Sequence, residues 1–299
     1  FIRNESDWLL LADSTTSGND YKGKHFVVSN EIEELNFVDH EDGYTIVPVG
    51  TLNRPFNGIL DGKGINIRVN LVSALNYQAL FGVVGKDGEV KNLSVSGKIT
   101  GANYTAGIVG ANYGLISSVY NNATINGNNN VAGIAGSNEG IIHDVYNKGR
   151  ISGNENVAGI SGYLNGNLYN SYNSGVIYGR KTIGTIVGLY NRGNLDSSYY
   201  DSTVLNSYRN VGVNLKPVFA VGSAYNSDNV KGLDHRFMVG TNVLGTGSNN
   251  MKFNNFGTWT TNINIFDNNN YPQLSIFSND TRSNIKELSY ESTTSSLSK

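Results

Sequence analysis

Any metal or general-base chemistry in this chain would have to start from four histidines: His25, His40, His143 and His235. No two have ligand-like spacing. The 299 residues contain no cysteine, so there is no thiolate to complete a zinc set, no thiol nucleophile and no disulfide. The run Asp39-His40-Glu41-Asp42-Gly43 offers oxygen ligands instead. Hard cations take several carboxylate and carbonyl oxygens, so Asp39, Glu41 and Asp42 are the candidate metal residues and calcium the candidate ion. EF-hand spacing is absent, and a polar turn would have the same composition. No other cofactor is implied. Gly18 to His25 nearly forms a phosphate loop, but His25 stands where a magnesium-binding hydroxyl is needed. The segment also precedes a strand rather than opening a helix, so a polar turn is the better reading.

Glycoside hydrolysis needs two carboxylates about 5–9.5 Å apart. The acids of the middle region are Asp87, Glu89, Glu139, Asp144, Glu155, Asp196 and Asp201. Within the repeats described below, shifting an acid by one repeat never lands on another. Lyase chemistry would want a base beside a calcium cluster, and Arg150 and Arg180 are isolated. No catalytic residue is assigned, and a polysaccharide lyase or glycosidase is the alternative reading. The sites at Asn4, Asn92, Asn103, Asn122 and Asn279 with glycosylation spacing are expected by chance among 45 asparagines.

Tyr120, Tyr146 and Tyr172 recur at 26-residue steps. Leu93 and Val95 are expected to face inward, which puts Ser94 and the tyrosine column outward. Outward rings ~4.8 Å apart on neighbouring strands would make a flat aromatic strip, able to lie under sugar faces. These three are the candidate ligand-binding residues. Cross-strand aromatic pairs also stabilise a sheet with no ligand present, so a structural stack is the simpler reading.

What places such a column is an internal repeat. Gly107-Ile108-Val109-Gly110, Gly133-Ile134-Ala135-Gly136, Gly159-Ile160-Ser161-Gly162 and Thr185-Ile186-Val187-Gly188 follow one another at 26 residues. Ile99, Ile125, Ile151 and Ile177 keep the same step, as do Val90, Ile116, Ile142 and Leu168. One residue inserted near 189–194 sets Leu195 and Tyr199 a place late. Each unit holds three apolar runs too short for helices, such as Ile116–Asn121, Ala123–Ile125 and Val131–Ala135. Asn, Ser and Gly separate them. No 3.6-residue periodicity runs long enough for a helical repeat. The pattern predicts an all-β parallel β-helix of ~26-residue coils, with regular repeats over about 80–203. Asn121, Asn147 and Asn173 should stack as an amide ladder at a corner.

The flanks differ. Residues 5–12 read as a short capping helix with Ser6 as N-cap and Asp7 in the first turn. His25–Ser29 and Tyr44–Val49 read as strands, and Phe56–Asn70 as strand, Asp61-Gly62 turn, strand. Residues 204–277 read as an irregular closing region, completing a β-helix domain over 1–277, and 278–299 as a polar tail or linker.

The core tetrads GIVG, GIAG, GISG and TIVG resemble GLUG repeats. Phe56-Asn57-Gly58-Ile59-Leu60-Asp61-Gly62-Lys63-Gly64, Val47-Pro48-Val49-Gly50-Thr51 and Tyr271-Pro272-Gln273-Leu274 resemble the segments that frame such repeats. The likeness spans roughly residues 20–277. Such modules occur in secreted or wall-anchored bacterial proteins, including adhesin-like proteins and the N-terminal region of M26-family IgA1-cleaving metallopeptidases. The resemblance implies a right-handed β-helix and an extracellular setting, and no activity. This chain has no His-Glu-x-x-His, so the resemblance carries no protease claim for it.

With 22 basic and 24 acidic residues the net charge is −2, which argues against nucleic-acid binding through a broad basic face. No apolar run approaches the ~20 residues of a membrane span. The chain opens with Phe1 and reads as a mature form or a fragment. The expectation is a non-catalytic module at the cell surface or secreted. It would act in adhesion to a host or microbial glycan or surface protein, or as a rigid stalk, and be monomeric within a larger chain.

Overall fold

The apolar columns stack in parallel. The computed structural model describes residues 1–38, 46–203, 219–221, 230–239, 243–245, 250–253, 258–261 and 271–277. In the first sheet, Ile59–Val72, Glu89–Thr100, Leu115–Asn121, Ile141–Asn147, Asn167–Asn173, Leu195–Asp201 and Val230–Leu233 pair in that order, all parallel. Thr124–Asn126, Ile151–Ser152 and Ile177–Tyr178 continue it around the coil. The second sheet stacks Phe81–Val84, Val109–Asn112, Ala135–Asn138, Ser161–Leu164 and Lys181–Tyr190. The result is an all-β parallel solenoid of about 26 residues per coil with one short N-terminal helix.

A regular coil has four strands, not the three expected. The run Val131–Ala135 divides into Asn129–Ala132 and Ala135–Asn138. The corner between them is set by space. A Cβ on Gly133 would lie 2.4 Å from both Asn147 Oδ1 and the Gly159 carbonyl oxygen. Only glycine lets the chain pass that close to the buried amides. Those amides form the expected ladder: Asn121 donates to Asn147 at 2.7 Å, and Asn147 to Asn173 at 2.7 Å. Each also receives the backbone N–H two residues on, at 3.0–3.2 Å, which turns the chain.

Inside the tube, Ile99, Ile125 and Ile151 are wholly buried, as are Val90, Ile116, Ile142 and Leu168. The column Leu93, Val119, Val145 turns polar at Ser171 and Ser198, whose hydroxyls pair at 2.8 Å. The inserted residue near 189–194 is absorbed as expected: Leu168 pairs with Leu195 and Tyr172 with Tyr199.

Three expectations need correction. The helix runs Glu5–Thr16, capped by Asn4 rather than Ser6. Asn4 is extended and its side chain accepts from the Asp7 N–H at 2.9 Å. Trp8 on this helix packs edge-on against Phe81 at 5.6 Å, closing the first coil. Phe56–Asn70 is not a hairpin. Ile59–Val72 is one parallel strand, with Asp61 and Ile65 opposite Lys91 and Leu93. Two extra residues bulge out there, where Lys63 and Gly64 take φ of 53° and 79°. The expected strand Tyr44–Val49 falls partly outside the described residues, and within them only Val49 bridges, to Phe81. The tail 278–299 also lies outside them.

Candidate functional face

Along the outside of the first sheet the alternation of in and out is interrupted once per coil. Asn92, Ser118, Asp144, Asn170 and Ser197 share one column and take φ of 44–58°. A left-handed residue there lets Ile116 and Val119, three apart, both face the core. It also divides the outer face into two outward columns. One is Asp61, Lys91, Ser117, His143, Tyr169, Asp196; the other is Ser94, Tyr120, Tyr146, Tyr172, Tyr199.

The tyrosines stack as a column, but not as an open strip. Tyr120 and Tyr146 lie 4.6 Å apart with planes 4° from parallel, Tyr146 and Tyr172 4.9 Å and 3°. Rings stacked along the coil axis occupy one another's faces, so only their edges point outward. Those edges are covered. Tyr146 and Tyr172 are 1% and 0% exposed, and only Tyr120 is half-buried. Together with Tyr199 they pack in a second apolar cluster, outside the tube, with Phe253, Trp259, Leu274 and Phe277. Burial holds the Tyr146 and Tyr172 phenols well above the usual tyrosine range.

The cover is a returning strap formed by residues 258–261 and 271–277. Trp259 lies 6.0 Å from Tyr146 and 5.8 Å from Tyr172. Tyr172 donates its hydroxyl to the Pro272 carbonyl at 2.7 Å, and Phe277 meets Tyr120 edge-on at 4.8 Å. Gln273-Leu274 pairs antiparallel with Trp259-Thr260. At its end, the Ile276 carbonyl lies so near Gly64 that a Cβ there would meet it at 2.7 Å. The strap therefore runs back to the first coil.

Two buried aspartates fasten it. Asp144 Oδ1 accepts from Trp259 Nε1 at 2.9 Å and from Asn170 at 3.2 Å, while Oδ2 lies 2.8 Å from His143 Nδ1. Asp201 Oδ2 lies 2.8 Å from His235 Nδ1 and also accepts the Tyr271 hydroxyl. Its Oδ1 takes the Thr203 N–H and hydroxyl at 2.8 and 2.6 Å. Burial opposes the Asp201 charge, but bonds from Thr203, Tyr271 and His235 outweigh it and hold the carboxyl below its ordinary range. Burial and the bond to Asp201 push the Tyr271 phenol far up.

His143 beside Asp144, with Ser117 one coil away, invites comparison with a nucleophile–base–acid set. The ring orientation does not support one. Tyr169 stacks on the imidazole at 5.0 Å and 5°, so the ring lies across the coil axis. Among the described residues no hydrogen bond joins Ser117 to His143, whose Nδ1 faces Asp144. Elsewhere the acids are held singly. Asp87 pairs with Lys22 at 2.9 Å, and Glu89 with Lys91 and Glu155 with Lys181 at 2.6 Å each. Glu139 accepts from Asn165 at 3.4 Å. Asp39, Glu41 and Asp42 lie outside the described residues. His40 does too, and His25 shares no metal-ligating group with the others among those described.

The residues that shape this face, Asp144, Asp201, His235, Trp259 and Tyr271, were not singled out by sequence as a site. One signal was readable: Asn92, Ser118, Asp144, Asn170 and Ser197 are all turn-formers in a strand column. The strap was also present as the segment Tyr271-Pro272-Gln273-Leu274.

Fold and face together define a parallel β-solenoid module closed by a returning strap. No protein-family profile matches the chain. It is 33% identical over 104 residues to a "Putative Gly-rich membrane protein" of Evansella cellulosilytica, a match covering 33% of this chain and 12% of that protein. It shares its fold, with TM-score 0.56 and 18% identity, with a "putative immunoglobulin A1 protease" from Bacteroides ovatus, over 67% of this chain and 66% of that one. The chain thus spans a small part of the first protein and about two thirds of the second. No described helix is long and apolar enough to cross a membrane.

Proposed function

We propose that the chain is a non-catalytic, extracellular β-helix module of a bacterial surface or secreted protein, acting in adhesion to a glycan or surface protein. One observation carries the reading. Ile2 bridges Val28, which bonds to Asp61, and Ile276 lies against Gly64. Both therefore border the strand Ile59–Val72, while the coils extend away from it. The described strap contacts lie on one outer face of the first sheet, and coils fastened along one face offer their other sides to a partner, as an adhesive arm requires. The extracellular setting rests on the GLUG-like framing segments and on the likeness to a Gly-rich membrane protein. Single, ion-paired acids and the stacked His143 favour binding over cleavage.

The test is a screen of residues 1–299 against a glycan array and against intact bacterial and host cells, with released reducing sugar and unsaturated product measured alongside. Saturable binding without product release is the expected result. Product release would make the chain an enzyme, and a folded protein that binds nothing would return it to a spacer.

A further inference from the structure

The part of the first sheet beyond the asparagine ladder carries none of the strap contacts described above. Its inward column is Ile99, Ile125, Ile151 and Ile177, so the residues on either side of each face out. Lys98, Thr124 and Arg150 lie on one side; Asn126, Ser152 and Tyr178 lie on the other. The turn that follows stacks Asn128, Asn154 and Arg180: the Asn154 N–H bonds to the Asn128 carbonyl at 2.7 Å, and Arg180 N–H to Asn154 at 3.1 Å.

Charge is unevenly placed here. Between residues 97 and 181 the bases are Lys98, Lys148, Arg150, Arg180 and Lys181, and the acids Glu139, Asp144 and Glu155. Glu139 lies beyond the second sheet, bonded to Asn165, and Asp144 is fastened under the strap. Glu155 is taken by Lys181 at 2.6 Å. Lys98, Arg150 and Arg180 are exposed and make no ion pair among the described residues. The Arg150 guanidinium lies 4.3 Å over the Tyr178 ring, which holds it in place as a planar donor. Beside it, the exposed side chains of Asn154 and Asn128 hydrogen-bond to each other.

From these positions we infer that this flank binds a linear acidic polysaccharide, one bearing uronate or sulfate groups. Lys98 lies two coils from Arg150 and three from Arg180, about 10 and 14 Å along the axis, and the two arginines are one coil, about 5 Å, apart; such a row suits anionic groups spaced along an extended chain. Guanidinium forks pair with carboxylate or sulfate oxygens. The amides and hydroxyls between the cations suit sugar hydroxyls. Three dispersed cations among amides are too few for a nucleic-acid backbone, which carries a charge at every residue. The inference names the ligand class of the adhesive reading and rests on it.

The experiment titrates residues 1–299 with dextran sulfate, a polyuronate, uncharged dextran and single-stranded DNA, all of similar length. Binding to one or both acidic glycans is expected, weakening steeply from about 50 to about 200 mM salt, with dextran silent and DNA at least about tenfold weaker. The double variant Arg150→Glu/Arg180→Glu should lose on the order of tenfold or more in affinity. Both sites are exposed, and an unchanged thermal midpoint will show the fold intact. A second variant, Lys22→Glu, reverses an exposed charge elsewhere and should leave binding unchanged. Equal affinity of wild type and the Arg double variant, equal loss in Lys22→Glu, or DNA binding as tightly as the glycans would overturn the assignment. A folded protein that binds other glycans but no acidic one removes this site and keeps the adhesive reading; one that binds nothing removes both.

Discussion

Trp259 donates its indole N–H to the buried Asp144 carboxylate at 2.9 Å, joining residues 115 positions apart. Asp144 belongs to a coil and Trp259 to the strap, so this bond fastens one layer to the other. Trp259 also stacks on Phe253 at 4.3 Å and leans on Tyr146 and Tyr172. Trp259→Ala removes that packing and leaves a buried carboxylate short of a donor. The expected loss is about 3–5 kcal/mol. It should appear first as protease cleavage within 258–277, while the coils keep their β-sheet signal. Cleavage rates unchanged from wild type would show that the strap is not held there. Trp8→Phe leaves Trp259 as the one indole, and its fluorescence should redden when the strap lifts.

The second anchor sets a pH dependence. The carboxyl of Asp201 is held below 3.8, its ordinary value, in the folded state. A lowered carboxyl stabilises the fold fully above its unfolded value and loses that stabilisation as pH falls through the lowered one. Acid should therefore loosen the strap below about pH 4 and leave it fastened from pH 5 to 8. In Asp201→Asn the stability should be lower at neutral pH and flatter below pH 4, as read by urea unfolding across pH. Equal acid slopes in the two proteins would sink the assignment.

The glycine corner makes opposite predictions at two positions in one column. Gly133→Ala drives a Cβ into Asn147 and the Gly159 carbonyl and should destabilise by about 2 kcal/mol or more. In the last coil the column holds Thr185, 2% exposed, whose hydroxyl has no partner. Thr185→Val keeps the shape and removes that unsatisfied group, so it should be neutral or stabilising by about 1 kcal/mol. Thermal midpoints of the two variants check both signs.

Much of this fold was legible because a solenoid repeats its own evidence. Ile99, Ile125, Ile151 and Ile177 fix the coil length, and three Gly-Ile-x-Gly tetrads followed by Thr185-Ile186-Val187-Gly188 fix the corner. Asn121, Asn147 and Asn173 announce a ladder because an amide both donates and accepts, so identical amides one coil apart can bond in series. The tyrosine column was legible as outward. Its exposure was not, because the cover comes from residues with no repeat, where Trp259 and Tyr271 have no counterpart to compare. The hairpin expected at Asp61-Gly62 failed for a related reason: the same turn chemistry serves a bulge when the next coil supplies a parallel partner. The splitting of Val131–Ala135 depended on the closeness of Gly133 to Asn147, a long-range contact absent from local pattern.

The strap carries the chain back to the first coil, the base of the arm. The chain lacks cysteine, so paired spin labels can be placed freely. Phe277→Cys is combined once with Lys63→Cys, in the first coil, and once with Arg192→Cys, beside the last. Five coil steps separate those two partners, about 24 Å along the axis. Pulsed dipolar spectroscopy should give the shorter distance for the 63–277 pair and a clearly longer one for 192–277. The reverse order would place residue 277 at the far end and contradict both the strap and the arm built on it.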